Sequence, residues 1–416
     1  MKILGINQRT SGSKYHRLVL PLSRIGADFA TQPTEDLFRI YDSMWIHYKT
    51  IVHPTQLAMW RAQYGTQIVL DIDDTWNIPL NHPSYKTVSE SARWSKYFAV
   101  VADWVVCSTP EVEQMVKPYN NNTIVIPNRI PYGEGQYHVV SESKESFMNR
   151  RIRIGFCGSI SHLEDWESMS GKLKRIIQDS EVKNKCEFVV CGVPNFDSLP
   201  EPDWIEDKIN SLIGVKYKDT PENREILRKS MLKGYVDYNK DVWKRISKGL
   251  GNPIVVNGRP VENYIDLYRE VDILLCPLVD NDLNKKKSSL KVLEAACTDT
   301  LCILGNLYKD KGQECDYHLY EDWYTNIKAL IRNKEDLYEK KIDISKKIRN
   351  LYDYDSDCVQ PRKNILGVKK KLDLDIYGIT YKDGQATEYK EYRNTISTVE
   401  DKSYFFEANP IRKLYG

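Results

Sequence analysis

Short apolar runs alternate with stretches of helical periodicity along most of the chain. An apolar run followed by turn residues and then by a helical stretch is typical of parallel strands joined by crossover helices. The first series predicts helices that include 54–64 and 110–116, and strands at 2–6, 44–48, 67–71, 104–107 and 123–126. A second series predicts strands at 152–157, 187–191, 253–257, 272–276 and 301–304. We therefore predict an α/β protein with two parallel sheets.

The chain divides at residues 131–150, where the period is lost and Gly, Ser and charged residues accumulate as in a linker. We predict one domain at 1–148 and a second at 149–345. Residues 193–251 exceed a normal crossover and carry helical residues with interleaved Lys, Arg, Tyr and Trp, which indicates an insertion. The tail at 346–416 is predicted to hold a helix and a hairpin around an Asp-Gly pair, either as an appendage or as a bridge back to the first domain.

Composition excludes several classes of protein. A chain of 416 residues suits two domains, and 60 basic against 58 acidic residues give no strong overall field toward nucleic acid or an anionic membrane. The apolar run at the start is too short for a secretory signal, and no run approaches the roughly 20 residues of a membrane span. We expect a cytoplasmic protein without integral membrane association.

The nine cysteines are scattered, without the spacing of a zinc site. Cys107, Cys157, Cys191 and Cys276 lie inside apolar runs, where cysteine behaves as a small buried hydrophobe. We expect reduced thiols and no structural metal.

A polar stripe follows the strand that ends at Cys276 and Pro277. If a helix starts near Lys287, then Ser288, Lys291 and Glu294 fall at spacings of three along one side. A hydroxyl and two ammonium groups at a helix N-terminus suit a diphosphate, because free N–H groups and the helix dipole also favour an anion. A solvated amphipathic helix with a Lys–Glu pair explains the stripe equally well.

The order Asn-x-x-Lys-Ser-x-x-Lys-x-x-Glu, from Asn284 to Glu294, resembles the donor-binding signature of the large retaining family four of GT-B glycosyltransferases. The resemblance implies two Rossmann-like domains that face each other across a cleft. It also implies that the diphosphate of a nucleotide sugar faces Lys287, Ser288 and Lys291, and that Glu294 contacts the ribose. Many members have a further Glu eight residues before the last one. Here that position is Lys286, so the contact of that Glu with the donor sugar is not implied.

Other segments resemble the same family in the same order, over roughly residues 1–330. They are a Gly-Ser loop after the first strand, a Pro-Asn turn at Asn128, a Gly-rich turn at 155–159 and the helix and strand at 264–276. The resemblance implies the following roles. Donor-binding residues are Gly12, Ser13, Gly158, Ser159, Pro277, Lys287, Ser288, Lys291 and Glu294; acceptor-side residues are Tyr15, Arg17 and Trp76; catalytic residues are Asp73, Asp74 and His162.

Residues 69–76 admit a different interpretation. Asp71-x-Asp73-x-Thr75 after an apolar strand matches the first motif of haloacid-dehalogenase phosphatases, where the first Asp is the nucleophile and magnesium is bound. In a GT-B relative the same segment ends a first-domain strand, where ligands of open α/β sheets bind. Asp73 and Asp74 would then lie near the acceptor, with Trp76 as a sugar platform and Asp71 as a cap. The metal-binding Asp-x-Asp of GT-A enzymes is disfavoured, because that fold lacks a second domain of this type.

The leading hypothesis is sugar transfer from a UDP- or GDP-sugar to an acceptor hydroxyl, with no obligatory cofactor or metal. The resemblance implies retention at the anomeric carbon. The acceptor is a glycan, a small molecule or, as in phage relatives of the fold, a modified DNA base. The alternatives are a magnesium-dependent phosphatase using Asp71 and Asp73, and a non-enzymatic nucleic-acid or partner-binding protein using the basic aromatic residues near 229–245.

Overall fold

The computed structural model describes most of the chain. The described residues are 1–7, 12–48, 50, 52, 54–76, 78, 95–199, 201–202 and 204–370, without the side chains of 170, 198, 204 and 207, and the backbone of 379–382 and 385–389.

Two parallel sheets of six strands organise the described part of the chain. The first contains β1 (Ile3–Ile6), β2 (Asp28–Ala30), β3 (Ser43–His47), β4 (Gln67–Ile72), β5 (Trp104–Cys107) and β6 (Thr123–Val125). The second contains β7 (Ile152–Cys157), β8 (Cys186–Val193), β9 (Ile254–Asn257), β10 (Ile273–Cys276), β11 (Leu301–Leu304) and β12 (Leu319–Tyr320). The strand orders are β2-β1-β3-β4-β5-β6 and β12-β11-β10-β7-β8-β9. Most central strands are buried throughout, as parallel strands covered on both faces must be.

Helices cover both sheets. The α-helices are Gly12–Lys14, Leu20–Ser23, Glu35–Ile40, Pro54–Tyr64, Pro110–Val116, Lys144–Met148, Leu163–Gln178, Ser180–Lys185, Trp204–Leu212, Pro221–Gly249, Asp282–Lys286, Leu290–Ala295, Trp323–Arg332, Lys334–Arg349 and Gln360–Ile365. Single turns of π-helix, Tyr15–Val19 and Asp355–Val359, precede Leu20–Ser23 and Gln360–Ile365. Short 3₁₀ turns include Ile160–His162 and Tyr264–Glu270.

The predicted α/β fold is confirmed, and each predicted strand is present within a few residues. The sequence pattern missed β2 and β12, which are only three and two residues long. The predicted helix start near Lys287 is wrong. One helix ends at Lys286, residues 287–289 form a loop, and the next helix begins at Leu290. We call residues 287–289 the lysine loop.

The C-terminal segment returns to the first sheet. Tyr354, Cys358, Val359 and Ile365 pack in one core with residues of the helical segment 15–23 and of the central strands. The predicted hairpin consists of β13 (Ile379–Lys382) and β14 (Gln385–Tyr389), which pair antiparallel. Its Asp-Gly turn lies outside the described residues, as does the rest of the tail from residue 390.

The insertion consists mainly of two helices, Trp204–Leu212 and Pro221–Gly249. Ile205, Ile209 and Leu227 give its first half a small core of its own. The second half packs on the second domain through Val242, Trp243 and Ile246. No described helix is both long and apolar enough to cross a membrane. All nine cysteines are free and buried, and burial was predicted for the four in apolar runs.

Candidate functional site

The lysine loop lies beyond the carboxyl end of β10, where ligands of parallel α/β sheets bind. Pro277 is buried directly after that strand. The Gly-rich turn after β7 reaches the same edge of the sheet, because β7 and β10 are neighbours. Gly158 and exposed Ser159 belong to this turn, and the Ser159 hydroxyl lies 2.6 Å from that of Ser161.

Two lysine ammonium groups converge at this edge of the sheet. Lys287 Nζ is buried and has no hydrogen-bond partner among the described residues. Lys291 Nζ lies 4.8 Å from the centroid of the Phe156 ring, and no carboxylate of the described chain lies within 4.0 Å of it. Burial lowers the pKa of Lys291. Two cations are therefore held in a low-dielectric environment without an ionic partner, where an anion would be stabilised strongly.

His162 is held beside these lysines. Its Nδ1 donates to Asp165 Oδ2 at 2.8 Å, while Asp165 Oδ1 accepts from Asn284 Nδ2 at 2.7 Å and from the Val279 N–H at 2.9 Å. Burial lowers the pKa of His162 to about 3, and the charge of Lys291 acts in the same direction. The imidazole is consequently neutral near pH 7. With the proton on Nδ1, its Nε2 is a hydrogen-bond acceptor.

Glu294 faces the first domain rather than open solvent. Its two carboxylate oxygens accept hydrogen bonds from the hydroxyls of Tyr264 and Tyr268. His16 Nε2 lies 3.2 Å from one of these oxygens and 2.5 Å from the Tyr264 hydroxyl. Burial raises the pKa of both tyrosines well above 10, so both hydroxyls keep their protons and donate to the carboxylate.

Arg17 and Asp71 form a buried ion pair beneath the cleft. Arg17 Nε donates to Asp71 Oδ1 at 2.7 Å, and Arg362 from the C-terminal segment approaches Asp71 Oδ2 at 3.4 Å. All three side chains are at most 1% exposed. The acceptor-side role predicted for Arg17 is therefore wrong, because its guanidinium does not reach the cleft. The capping role of Asp71 is wrong too, since Asp71 lies inside β4. The phosphatase hypothesis also fails, because a nucleophile must reach its substrate.

Arg17 nevertheless connects this pair to the lysine loop. Its Nη1 donates to the Ile126 carbonyl at 2.6 Å and to Asn128 Oδ1 at 3.2 Å. Asn128 Nδ2 donates to the Ser288 hydroxyl at 2.8 Å. Ser288 thus accepts a hydrogen bond from the first domain and keeps its own O–H proton to donate elsewhere.

The other aspartates of the 69–76 segment lie at the carboxyl end of β4. Asp73 Oδ1 is 3.0 Å from His47 Nε2, and Asp74 Oδ1 accepts from the Thr75 N–H at 2.8 Å. Trp76 is 5% exposed and packs edge-on against Tyr119, with 5.4 Å between ring centroids. A ring buried in this way presents no face to a sugar, which contradicts the platform role predicted for Trp76.

The segment after β1 begins with Gly12 and Ser13, which open the first helix. A Cβ on Gly12 would meet no protein atom within 4 Å, so this position is open on the protein side. Tyr15 is half-buried, and its ring centroid lies 6.0 Å from that of His16 at the surface toward the second domain. Residues 8–11, between these residues and β1, lie outside the described residues.

Lys311 was not predicted from the sequence. Its Nζ donates to two backbone carbonyls, that of Lys285 at 3.0 Å and that of Lys287. These hydrogen bonds stabilise the lysine loop. Burial lowers the pKa of Lys311 to about 8, against the opposing charges of Glu111 and Asp74. No motif marks this lysine in the sequence. The single available signal was that this lysine follows shortly after β11, the strand next to β10.

The fold is similar to that of Anabaena HepE, whose structures are known in complex with UDP and with UDP and glucose. The TM-score is 0.52 at 12% identity, over 88% of this chain and 99% of HepE. Sucrose-phosphate synthase from Thermosynechococcus elongatus gives a TM-score of 0.50 at 11% identity, over 88% of this chain and 98% of that one. No protein-family model and no curated protein matches the sequence.

These similarities define the class of fold. Both neighbours are GT-B glycosyltransferases, and the chain has the GT-B architecture of two parallel α/β units. The similarity at this identity concerns the fold, and the chemistry depends on the chain's own side chains.

Proposed function

We propose that this protein transfers a sugar from a nucleotide-diphosphate sugar to an acceptor hydroxyl. The observation that supports the proposal is the convergence of two ammonium groups, that of Lys287, which is buried, and that of Lys291, whose pKa is lowered by desolvation; neither has a carboxylate partner in the described chain. A buried charge without a partner is costly, so this arrangement suits a protein whose ligand supplies the opposite charge. A diphosphate carries such a charge, and HepE of the same fold has been solved with UDP.

The two lysines would act as the bond between sugar and diphosphate breaks. Negative charge then develops on the leaving phosphate, and cations fixed in a low-dielectric site stabilise that charge without reorganising. The Ser288 hydroxyl, oriented by Asn128, would donate to a phosphate oxygen. Gly158, whose lack of a side chain lets Lys291 Nζ and the Phe156 ring approach closely, is proposed to line the donor site together with Gly12, Ser13 and Ser159.

His162 would contact the sugar. Because its Nδ1 is bound to Asp165, its Nε2 is available to accept a hydrogen bond from a sugar hydroxyl. Asp73 and Asp74, on the first domain, are proposed to face the acceptor. Glu294 is left out of the nucleotide contacts, because both of its oxygens already accept tyrosine hydroxyls.

We extend the proposal to a hexose donor linked to UDP or GDP, and to transfer with retention, on the family resemblance of residues 284–294. The acceptor is proposed to be a glycan or small molecule. The insertion supports a nucleic-acid partner less well, because several of its basic groups form ion pairs within the chain: Arg224 with Asp219 and Glu206, Arg228 with Glu201 and Glu206, and Arg245 with Glu167.

Nucleotide binding tests the proposal directly. We expect UDP or GDP to raise the melting temperature, since a ligand at about 100 times its Kd adds about 2.7 kcal/mol to the free energy of unfolding. Lys291→Met and Lys287→Met should each weaken that nucleotide at least about tenfold, or about 1.4 kcal/mol, as measured by calorimetry. Neither should lower the stability of the unliganded protein, because each removes an uncompensated buried charge.

The matched control is Lys285→Met in the same segment. Lys285 is exposed, and its ammonium group is paired with Asp280 at 2.8 Å. Its loss should leave the nucleotide Kd unchanged within about twofold. If neither nucleotide changes the melting temperature, or if Lys285→Met weakens binding as much as Lys291→Met, the proposed function is wrong.

A further inference from the structure

The polar cluster around Glu294 joins the two domains. His16 comes from the π-helical turn Tyr15–Val19 of the first domain, whereas Tyr264, Tyr268 and Glu294 all belong to the second domain. The His16 side chain is 2% exposed and that of Glu294 is 6% exposed. The hydroxyl of Tyr137, in the linker, lies 3.3 Å from His16 Nε2 and closes the cluster from a third side.

Hydrogen-bond donors and acceptors are matched in this cluster. Both tyrosine hydroxyls donate to Glu294, so the oxygen of Tyr264 is left as an acceptor. His16 Nε2, at 2.5 Å from that oxygen and 3.2 Å from the carboxylate, then supplies the N–H that the second domain lacks. Removing His16 would take away an N–H donor from these buried oxygens, which is costly.

The backbone positions His16 for this contact. Residues Tyr15–Val19 form a π-helical turn, an irregularity that occurs frequently at functional sites. The carbonyl of Arg17 in that turn accepts a hydrogen bond from Arg362 at 3.1 Å, which ties the turn to the returning C-terminal segment. The turn is thus contacted by both segments that connect the domains: the linker, through Tyr137, and the C-terminal segment, through Arg362.

We propose that His16 and Glu294 form an interdomain latch, and that Glu294 is a positioning residue which keeps the two halves of the cleft aligned rather than a ribose contact. This inference rests on the proposed function for its consequence, since Lys287 and Lys291 lie on one domain while Asp73 and Asp74 lie on the other. Loss of the latch should separate the domains and leave nucleotide binding to the second domain almost intact.

The first experiment measures amide hydrogen exchange in His16→Leu, His16→Gln and the parent protein. His16→Leu should accelerate exchange about tenfold or more in 12–20 and 264–270, the segments that the latch joins. His16→Gln, whose amide nitrogen can take the place of Nε2, should restore slow exchange. His138→Leu is the matched control, because His138 is an exposed histidine that contacts Arg269 of the second domain at 3.0 Å. Unchanged exchange in His16→Leu, or no rescue by His16→Gln, would overturn the latch.

The second experiment separates a latch from a ribose contact. The Kd of UDP and of 2′,3′-dideoxy-UDP is measured for the parent protein and for Glu294→Gln. The latch predicts that the substitution changes both values by the same factor, within about threefold. A loss of about tenfold or more for UDP alone would show that Glu294 binds the ribose hydroxyls and would overturn the inference. If UDP does not bind the parent protein, GDP and its dideoxy analogue replace it.

These two experiments also separate the inference from the proposed function. Should no nucleoside diphosphate bind, the proposed function fails, and hydrogen exchange alone decides whether the latch exists. Should nucleotides bind while exchange in His16→Leu stays slow, the latch fails and the proposed function stands.

Discussion

Two sets of buried charges in this protein are arranged in opposite ways. In the first domain, Asp71 forms ion pairs with both Arg17 and Arg362, and each of these three side chains is at most 1% exposed. At the carboxyl edge of the second sheet, Lys287 and Lys291 are enclosed without any carboxylate partner in the described chain. The first set is complete within the chain, and the second becomes complete with an anion.

The difference distinguishes scaffold from binding site. A buried pair stabilises little relative to apolar packing, but breaking it by removing one partner is strongly destabilising. Buried charges that lack a partner in the chain gain one when a ligand of opposite sign arrives. Stability should therefore depend on the first set and ligand affinity on the second.

The largest expected effect comes from Asp71→Asn. It leaves the guanidinium groups of Arg17 and Arg362 buried without a carboxylate, at a cost of about 3–5 kcal/mol in the free energy of unfolding. Urea denaturation measures this loss. Asp36→Asn is the control, because Asp36 forms an exposed pair with Arg39 at 3.3 Å, worth less than about 1 kcal/mol. Equal urea midpoints for Asp71→Asn and Asp36→Asn would contradict the role of the first set of buried charges in stability.

Local pattern predicted the secondary structure well because strand and helix periods are properties of short segments. The strand series was predicted within a few residues, and the helices 54–64 and 110–116 were predicted at their observed bounds. The loop at 287–289 was not predicted, because its polar residues are compatible both with a helix and with a loop. The motif, together with its place after a predicted strand, indicated that Lys287 and Lys291 lie on the same side of this segment.

Exposure and long-range partners could not be predicted in the same way. Arg17 and Trp76 occupy positions where ligand contacts were expected, yet both are buried by segments distant in sequence. The partner of Glu294 is His16, which lies on the other domain. Lys311 supports the lysine loop through backbone carbonyls, a role for which any flexible cation would serve and which leaves no sequence motif.

Gly158→Ala should have an intermediate effect, and it tests whether Lys291 is held in place by close packing. The added Cβ would lie 2.7 Å from the Phe156 ring and 3.0 Å from Lys291 Nζ. We expect a loss of about 1–3 kcal/mol in stability from overpacking, together with weaker nucleotide binding as Lys291 is displaced. Calorimetry and denaturation measure the two effects separately.

Gly171→Ala is the control for Gly158→Ala. Gly171 lies within the helix Leu163–Gln178, and a Cβ there would meet no atom within 4 Å. The alanine should raise stability by up to about 1 kcal/mol and leave the nucleotide Kd unchanged. If Gly158→Ala bound nucleotide as tightly as Gly171→Ala, the position of Lys291 would not matter for the ligand.

The smallest expected effect is a pH dependence from Lys311, whose pKa is lowered to about 8 chiefly by burial. As pH rises through about 8 the ammonium group loses its charge, so the affinity for UDP or GDP should fall, by no more than about tenfold. The free energy of unfolding should change in the opposite direction and rise with pH. The folded-state pKa is below the usual 10.5, so the cost of burying the charge is fully present below about 8 and is relieved between about 8 and 10.5.

Opposite slopes for affinity and stability would therefore identify a cation whose charge favours the ligand but is costly to bury in the folded protein. The measurements belong above pH 7, because a terminal phosphate changes its own charge near pH 6. Lys311→Arg keeps the charge across this range and should flatten both curves. If the affinity of Lys311→Arg fell with pH at the same slope as that of the parent protein, the titration would belong to another group, such as Lys291, whose pKa is also lowered.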